Sequence, residues 1–264
     1  MNQNMPQLWT VKTGNQPIVA VALHDGHDIR PEVKQLLAIS TDERKREEDP
    51  FTAAWTDIAK SSLIVLRSRF EVDLNRPRHL AVYLKPEDAW GLKIWKSPPS
   101  QDIIERSLAE YDAFYQDVAR ICQTLKQRYG HFVIYDLHTY NHLRQGIDAP
   151  PAAKSNNPDI NLGTESLNRQ YWQPVVKRFI REMKQFDFCG RQLDVRENVK
   201  FGGGHFAQWV HTHFPYSGCV LAIEVKKFFM NEWTHQADLN QLSAVHQALK
   251  NSVSGVLEEL QYFK

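Results

Sequence analysis

The chain has 264 residues, 42% of them hydrophobic and 24% charged, a globular balance long enough to bury a sizeable core and without room for a long disordered tail. Its 32 basic and 31 acidic residues leave a formal charge of +1, so no general field draws it to nucleic acid or an anionic membrane, and a small-molecule ligand is expected. Cys122, Cys189 and Cys219 stand far apart, with neither metal-ligand spacing nor a disulfide framework, and are expected to be reduced core residues.

The amino-terminal stretch MNQNMPQLWTVKTG lacks the basic region and apolar run of a signal peptide. Nothing in the chain approaches the roughly 20 apolar residues of a membrane span. These features predict a cytoplasmic protein with one domain over residues 1–264. A first buried strand is expected over 18–23, where the run is continuously apolar and β-branched. It delivers His24-Asp25-Gly26-His27-Asp28, two imidazoles and two carboxylates on a glycine-bearing turn. His24 and His27, three residues apart, can face one cation, and neutral imidazole nitrogen suits zinc. The competing reading is a set of hydrogen-bonded turn residues.

A second strand is expected over 63–66. Beyond it, Arg67-Ser68-Arg69-Phe70-Glu71-Val72-Asp73-Leu74-Asn75-Arg76-Pro77 places the Arg76 guanidinium where it can bind a substrate carboxylate or a developing oxyanion, with Asn75 able to polarise a carbonyl. Taken alone, Arg76 is more readily a structural surface arginine, and its setting in Asp-Leu-Asn-Arg-Pro changes that. Strands follow over 80–84 and 131–137, separated by a helix over 102–129 that Ser100 caps. The strand over 131–137 leads into Asp136-Leu137-His138-Thr139-Tyr140-Asn141-His142, making His138 a natural further ligand. Asp136 either orients an imidazole or satisfies backbone donors.

Proline-rich surface loops are expected over 97–99 and 149–157, and a helix over 166–186 preceded by Thr164. Gly202-Gly203-Gly204-His205, ahead of Trp209, His211 and His213, gives a close-approaching backbone suited to a substrate-side loop or lid, or to a plain hairpin turn. The Lys-Ser/Thr pair of a phosphate loop is missing. A strand over 219–225 carries Glu224 where an unpartnered charge is costly. Either a nearby metal makes it a general base toward activated water and then a proton donor to the departing amine, or it pairs with Lys226 or Arg76. A last helix is expected over 237–260. No Gly-x-Ser-x-Gly elbow is present, and Cys219 sits in a core strand, which disfavours a nucleophilic hydrolase. Alternating strands and helices predict an α/β fold with a largely parallel sheet and functional residues at the strands' carboxyl ends.

In order and spacing, His24-Asp25-Gly26, Asp73-Leu74-Asn75-Arg76-Pro77, Asp136-Leu137-His138, Gly202-Gly203 and the Glu224 strand resemble the N-formylglutamate amidohydrolase family over residues 18–230. The resemblance implies kinship with zinc carboxypeptidases and acyl-amino-acid deacylases, and hence a three-layer α/β/α sandwich of the phosphorylase/hydrolase kind holding one zinc ion. It makes His24 and His138 ligands, Glu224 the catalytic glutamate, and Asn75 and Arg76 the pair that engages substrate. The remaining ligand is His27, or an acidic residue of Glu47-Glu48-Asp49, with Glu48 and Asp49 both eligible. Asn141, Gly203 and His205 fall on the substrate side. Asn141 stands where the family carries arginine, and another arginine is missing after the glycine loop, where Gln208, Trp209 and His211 stand. Two absent arginines weaken recognition of a substrate with two carboxylates. The expected activity is therefore hydrolysis of a small N-formyl or N-acyl amino acid or a short peptide-like amide. The alternative is a noncatalytic small-molecule binding protein that keeps the fold.

Overall fold

The computed structural model describes residues 8–263; the first seven residues of the amino-terminal stretch lie outside the described residues. Short strand β1 (Trp9–Lys12) precedes β2 (Ile18–Ala22), all of whose residues are buried. Helices α1 (Pro31–Leu36) and α2 (Thr41–Glu47) follow, then β3 (Ser61–Val65). The long helix α3 (Gln101–Tyr129) leads to β4 (Phe132–Tyr140), and β5 (Ile160–Gly163) to α4 (Gln173–Gln185). Strand β6 (Val195–Glu197), helix α5 (His205–His213), strand β7 (Gly218–Lys226) and helix α6 (Leu239–Leu260) complete the order.

The seven strands form one mixed sheet in the order β1-β3-β2-β4-β7-β5-β6. Pairs β3–β2, β2–β4, β4–β7 and β5–β6 are parallel, whereas β1 and β5 run antiparallel to β3 and β7. Strands covered on both faces need apolar side chains in both directions, which is why β2, β4 and β7 are continuous apolar runs. Alternation along β4 splits the core. Val133, Tyr135 and Leu137 face α4 and α6, while Phe132 and Ile134 face α3 and α5. Asp136 and His138 continue the second face. The register pairs His138 with Glu224, so the carboxyl ends of two central strands bring these side chains together.

Helix α3 begins where the Ser100 side chain accepts from the Ile103 N–H and ends at left-handed Gly130. Its Tyr111, Phe114, Val118, Cys122 and Leu125 are buried at helical spacing against the sheet. Each such side chain contributes roughly 1.5–3 kcal/mol, so Phe114→Ala is the kind of change that costs about 3–5 kcal/mol. The result is the three-layer α/β/α arrangement, and no helix among the described residues is long and apolar enough to cross a membrane.

Several expectations need correction. Residues 80–84 are not a strand. Arg78–Leu80 is a 3-10 turn, Leu80 and Leu84 are exposed, and only Ala81, Val82 and Tyr83 enter the core. The helix expected over 166–186 starts at Gln173, because residues 166–172 are turns and Pro174 occupies its first turn, where a missing N–H is harmless. Cys122 and Cys219 are buried as expected, but Cys189 is exposed, at left-handed φ in the tight turn closed by Phe188 and Arg191. The segment after the glycines is helix α5, neither a lid nor a hairpin.

Candidate metal centre and active site

Three segments meet at the carboxyl edge of the sheet. His24 follows β2, and His138 lies near the end of β4. Asp49 is delivered by α2, whose start is fixed by a reciprocal cap: Ser40 Oγ accepts from the Glu43 N–H at 3.1 Å and Glu43 Oε2 from the Ser40 N–H at 2.9 Å. The Asp49 N–H donates to the His24 carbonyl at 2.9 Å, and Thr139 Oγ1 donates to Asp49 Oδ1 at 3.0 Å. Asp49 Oδ2 then lies 3.3 Å from His24 Nδ1 and 3.0 Å from His138 Nδ1.

One ligand atom from each of these buried residues lies within 4.8 Å of the others. Ligand atoms about 2.0–2.1 Å from a tetrahedral ion sit roughly 3.3–3.4 Å apart, so the two imidazole–carboxylate separations fit a shared divalent cation. The outer nitrogens also face carboxylates: His24 Nε2 is 2.7 Å from Asp73 Oδ1, and His138 Nε2 is 2.9 Å from Asp136 Oδ1. Carboxylates behind ligating imidazoles fix their tautomer and raise their basicity. The Asp136 contact is off the line of a hydrogen bond, and both its oxygens are buried without a donor. A buried, donor-poor carboxylate of this kind calls for positive charge nearby, and the two-nitrogen, one-oxygen donor set suits zinc.

Protonation follows the same contacts. Burial opposes ionisation of Asp49, but hydrogen bonds from His138 and His24 hold its carboxyl well below the usual range. Burial also opposes a charged His138, yet Asp136 and the Asp49 hydrogen bond raise it well above the ordinary histidine value. Without an ion the cluster is thus a hydrogen-bonded charge pair, which a cation would displace.

Asp73 is the hub of the wall behind His24. It accepts from Arg69 Nη2 at 2.9 Å, from the Asn75 N–H at 2.9 Å and from the Tyr83 hydroxyl. Asn75 reaches across to α5: its Oδ1 accepts from the Phe206 N–H at 2.9 Å, while its Nδ2 lies 3.5 Å from His138 Nε2. This crossing explains the glycines. Gly203 is left-handed at φ 108°, and a Cβ on Gly204 would fall 2.2 Å from Asn75 Oδ1. Arg76 is 32% exposed, donates Nη2 to the Asp88 carbonyl at 3.0 Å and keeps Nε 3.7 Å from Asp73.

His24, Asp49, Asn75, Arg76, His138, Asn141, Gly203 and Glu224 line one cavity of about 220 Å³. Glu224 sits deep in the protein with its side chain partly open to this cavity. Loss of hydration pushes its carboxyl up to about 7; His138 opposes the rise, and the Asp49 and Asp136 charges add to it. Neither proposed ion-pair partner takes it. Lys226 Nζ goes to Asp159 at 2.7 Å, and Arg76 faces Asp73.

The structure sets His27 and Glu48 apart from this cluster. His27 Nδ1 binds Glu48 Oε2 at 2.5 Å, and the other Glu48 oxygen accepts from Arg44 at 3.1 Å and from Ser68. Both Glu48 oxygens are therefore engaged, and Asp49, next in sequence, is the carboxylate that faces the centre. His205 lies on the far side of the glycine turn, in a neighbouring recess. His211 is occupied structurally, contacting Ser166 Oγ at 2.8 Å through Nδ1 and accepting from the Val220 N–H at 2.9 Å. Sequence reasoning misses the cavity residues Arg69, Trp90, Arg144 and Lys227. It also misses Asp73 as the partner of His24, although Asp73 opens the very motif that drew attention to Asn75 and Arg76.

A mixed, largely parallel sheet between helical layers, with a histidine–carboxylate centre at its carboxyl edge and a glutamate in the adjoining cavity, defines a class of α/β hydrolase. Residues 16–229 match the model of the N-formylglutamate amidohydrolase family. The chain belongs to that family, whose members are hydrolases of amide bonds. Its fold is similar to that of an N-formylglutamate amidohydrolase from Ralstonia eutropha JMP134, with 16% identity, a TM-score of 0.72, and coverage of 97% of this chain and 98% of the other. It is also similar to a gene product of Agrobacterium tumefaciens, with 16% identity, a TM-score of 0.67, and coverage of 94% and 95%. No curated protein matches the chain.

Proposed function

We propose that this protein, acting as a single domain, hydrolyses the amide of a small N-formyl or N-acyl amino acid. Zinc held by His24, Asp49 and His138 would be its cofactor, and Glu224 its general base. The observation that carries the reading is the convergence of one ligand atom each from His24, His138 and Asp49 within 4.8 Å, in a cavity that also presents Glu224. A divalent ion there supplies Lewis acidity to the amide carbonyl and to the attacking water.

The chain's own residues account for the rest. Glu224, whose carboxyl stands at about 7 in the metal-free protein, lines the cavity where it can take a proton from water. As the water oxygen bonds to the carbonyl carbon, that proton passes to the carboxylate. When the C–N bond breaks, Glu224 returns it to the departing nitrogen, giving the acid and the free amine. Asp73 holds the His24 imidazole in orientation through Nε2, and Asp136 faces His138 Nε2 as a counter-charge. Arg76, half-open to the cavity, offers a fork for the substrate's carboxylate, and Asn75, pinned to the start of α5, keeps the adjoining wall in place.

The test is metal content combined with turnover of N-formyl and N-acetyl amino acids, before and after chelation, in the wild type and Glu224→Gln. The reading expects bound zinc, loss of turnover on chelation and its return with zinc. Turnover that persists in the metal-free protein, or in Glu224→Gln, refutes it.

A further inference from the structure

We infer that the cavity selects N-acylated amino acids carrying a single carboxylate and an aromatic or large apolar side chain, with Trp90 and Phe201 as the surfaces that recognise that side chain. The inference rests on the amidohydrolase reading above and specifies its substrate.

Large aromatic side chains are normally covered. Trp90 and Phe201 are 45% and 37% exposed, and both line the cavity that holds Glu224. Each ring is fixed in place. Trp90 follows the 3-10 turn Pro86–Ala89 in the left-handed region at φ 56°, a conformation uncommon for a bulky residue. Its ring meets Tyr83 edge-on at 6.2 Å and lies 4.9 Å from the Arg69 guanidinium carbon. Arg76 holds the same turn through the Asp88 carbonyl. Phe201 meets Tyr140 edge-on at 5.7 Å, and its carbonyl accepts from Asn161 Nδ2 at 2.8 Å. These rings are preorganised faces with room for a partner.

The cations point the same way. Arg69 is bonded to Asp73, and Lys227 donates to the carbonyls of Arg46 and Glu48. Arg144 directs both terminal nitrogens at Glu47, at 3.5 and 3.3 Å. Among the described lining residues, Arg76 is the guanidinium whose nearest carboxylate stays as far as 3.7 Å, and it is partly exposed, whereas the Lys227 ammonium is buried against its two backbone carbonyls. That leaves one anchor for one carboxylate. A second carboxylate on the substrate side chain would have to displace Glu47 from Arg144 or meet Glu47 and Glu224 as like charges, each unfavourable. An apolar ring instead removes its own surface and that of Trp90 or Phe201 from water.

The experiment measures kcat/KM of the zinc-loaded full chain for N-formyl derivatives of phenylalanine, leucine, alanine and glutamate. Expected are at least about tenfold preference for phenylalanine over glutamate, and a phenylalanine-to-alanine ratio that falls about tenfold in Trp90→Ala and in Phe201→Ala. A preference for the glutamate derivative, or a ratio that stays within twofold in both variants, overturns the inference while leaving the amidohydrolase reading intact. If the wild type turns over none of the four, calorimetry with N-formylphenylalanine separates the two claims. Binding that Trp90→Ala weakens about tenfold keeps the selectivity and removes the hydrolase reading, and no binding removes both.

Discussion

Replacing Glu224 by glutamine should abolish turnover and, in the metal-free protein above neutral pH, stabilise the fold. The two effects have one origin. A carboxyl that binds its proton up to about pH 7 when folded, against an ordinary 4.5, favours the folded state fully below pH 4.5 and loses that advantage as pH rises through 7. At about 1.4 kcal/mol per pH unit, the displacement corresponds to about 3 kcal/mol; partial opening to the cavity reduces it to roughly 1–2 kcal/mol. Glutamine has nearly the same shape and no charge to desolvate. Metal-free Glu224→Gln should therefore melt roughly 3–6 °C above metal-free wild type at pH 8, and at the same temperature near pH 4.5. Loss of a general base costs about 10²–10⁴ in kcat. Thermal melts at both pH values, together with initial rates on the zinc-loaded proteins, give the two readouts. Turnover within tenfold of wild type, or a lower melting temperature at pH 8, would show that Glu224 is neither a proton carrier nor a strained buried charge.

Chelation should remove hydrolysis, and zinc should restore it, with a melting temperature that rises as metal is returned, because an ion bound only by the folded state stabilises it. Asp73→Asn takes the carboxylate from behind His24 and from buried Arg69. It should weaken metal binding about 10–100-fold in a competition assay and cost about 3–5 kcal/mol of stability in denaturant titration. Gly204→Ala drives a methyl group into the Asn75 side chain, breaking its bond to the Phe206 N–H. It should cost about 1–3 kcal/mol and lower kcat while metal content by emission spectroscopy stays at one equivalent.

The central strands and the residues at their ends were legible because strands buried on both faces are written as unbroken apolar runs, and whatever polar residue closes such a run must lie at the sheet edge. That logic places His24, His138 and Glu224 in one region. It says nothing about Asp49, which hangs from the end of a short helix, where no periodicity decides whether it or Glu48 faces inward. The Arg44 and Ser68 contacts that turn Glu48 away come from tertiary packing. Strands β1, β5 and β6, of four, four and three residues, are too short to carry a pattern, and their pairing is imposed by longer neighbours. Residues 80–84 mislead for the opposite reason: the run is apolar, but its flanking prolines and exposed leucines belong to a loop over a satellite cluster. Trp90, Arg144 and Lys227 join the cavity through loops, and local sequence carries no record of where a loop returns.

Strand β7, last of the seven to be synthesised, sits inside the sheet between β4 and β5, and β5 and β6 reach the other strands only through it. A nascent chain short of residue 218 therefore carries an open edge on β4 and a two-strand fragment with nowhere to dock. Closing that gap requires pairings distant in sequence, which makes completion slow and late. The strand that closes the gap also brings Glu224, so truncated or half-assembled species lack the proton carrier until the architecture is whole.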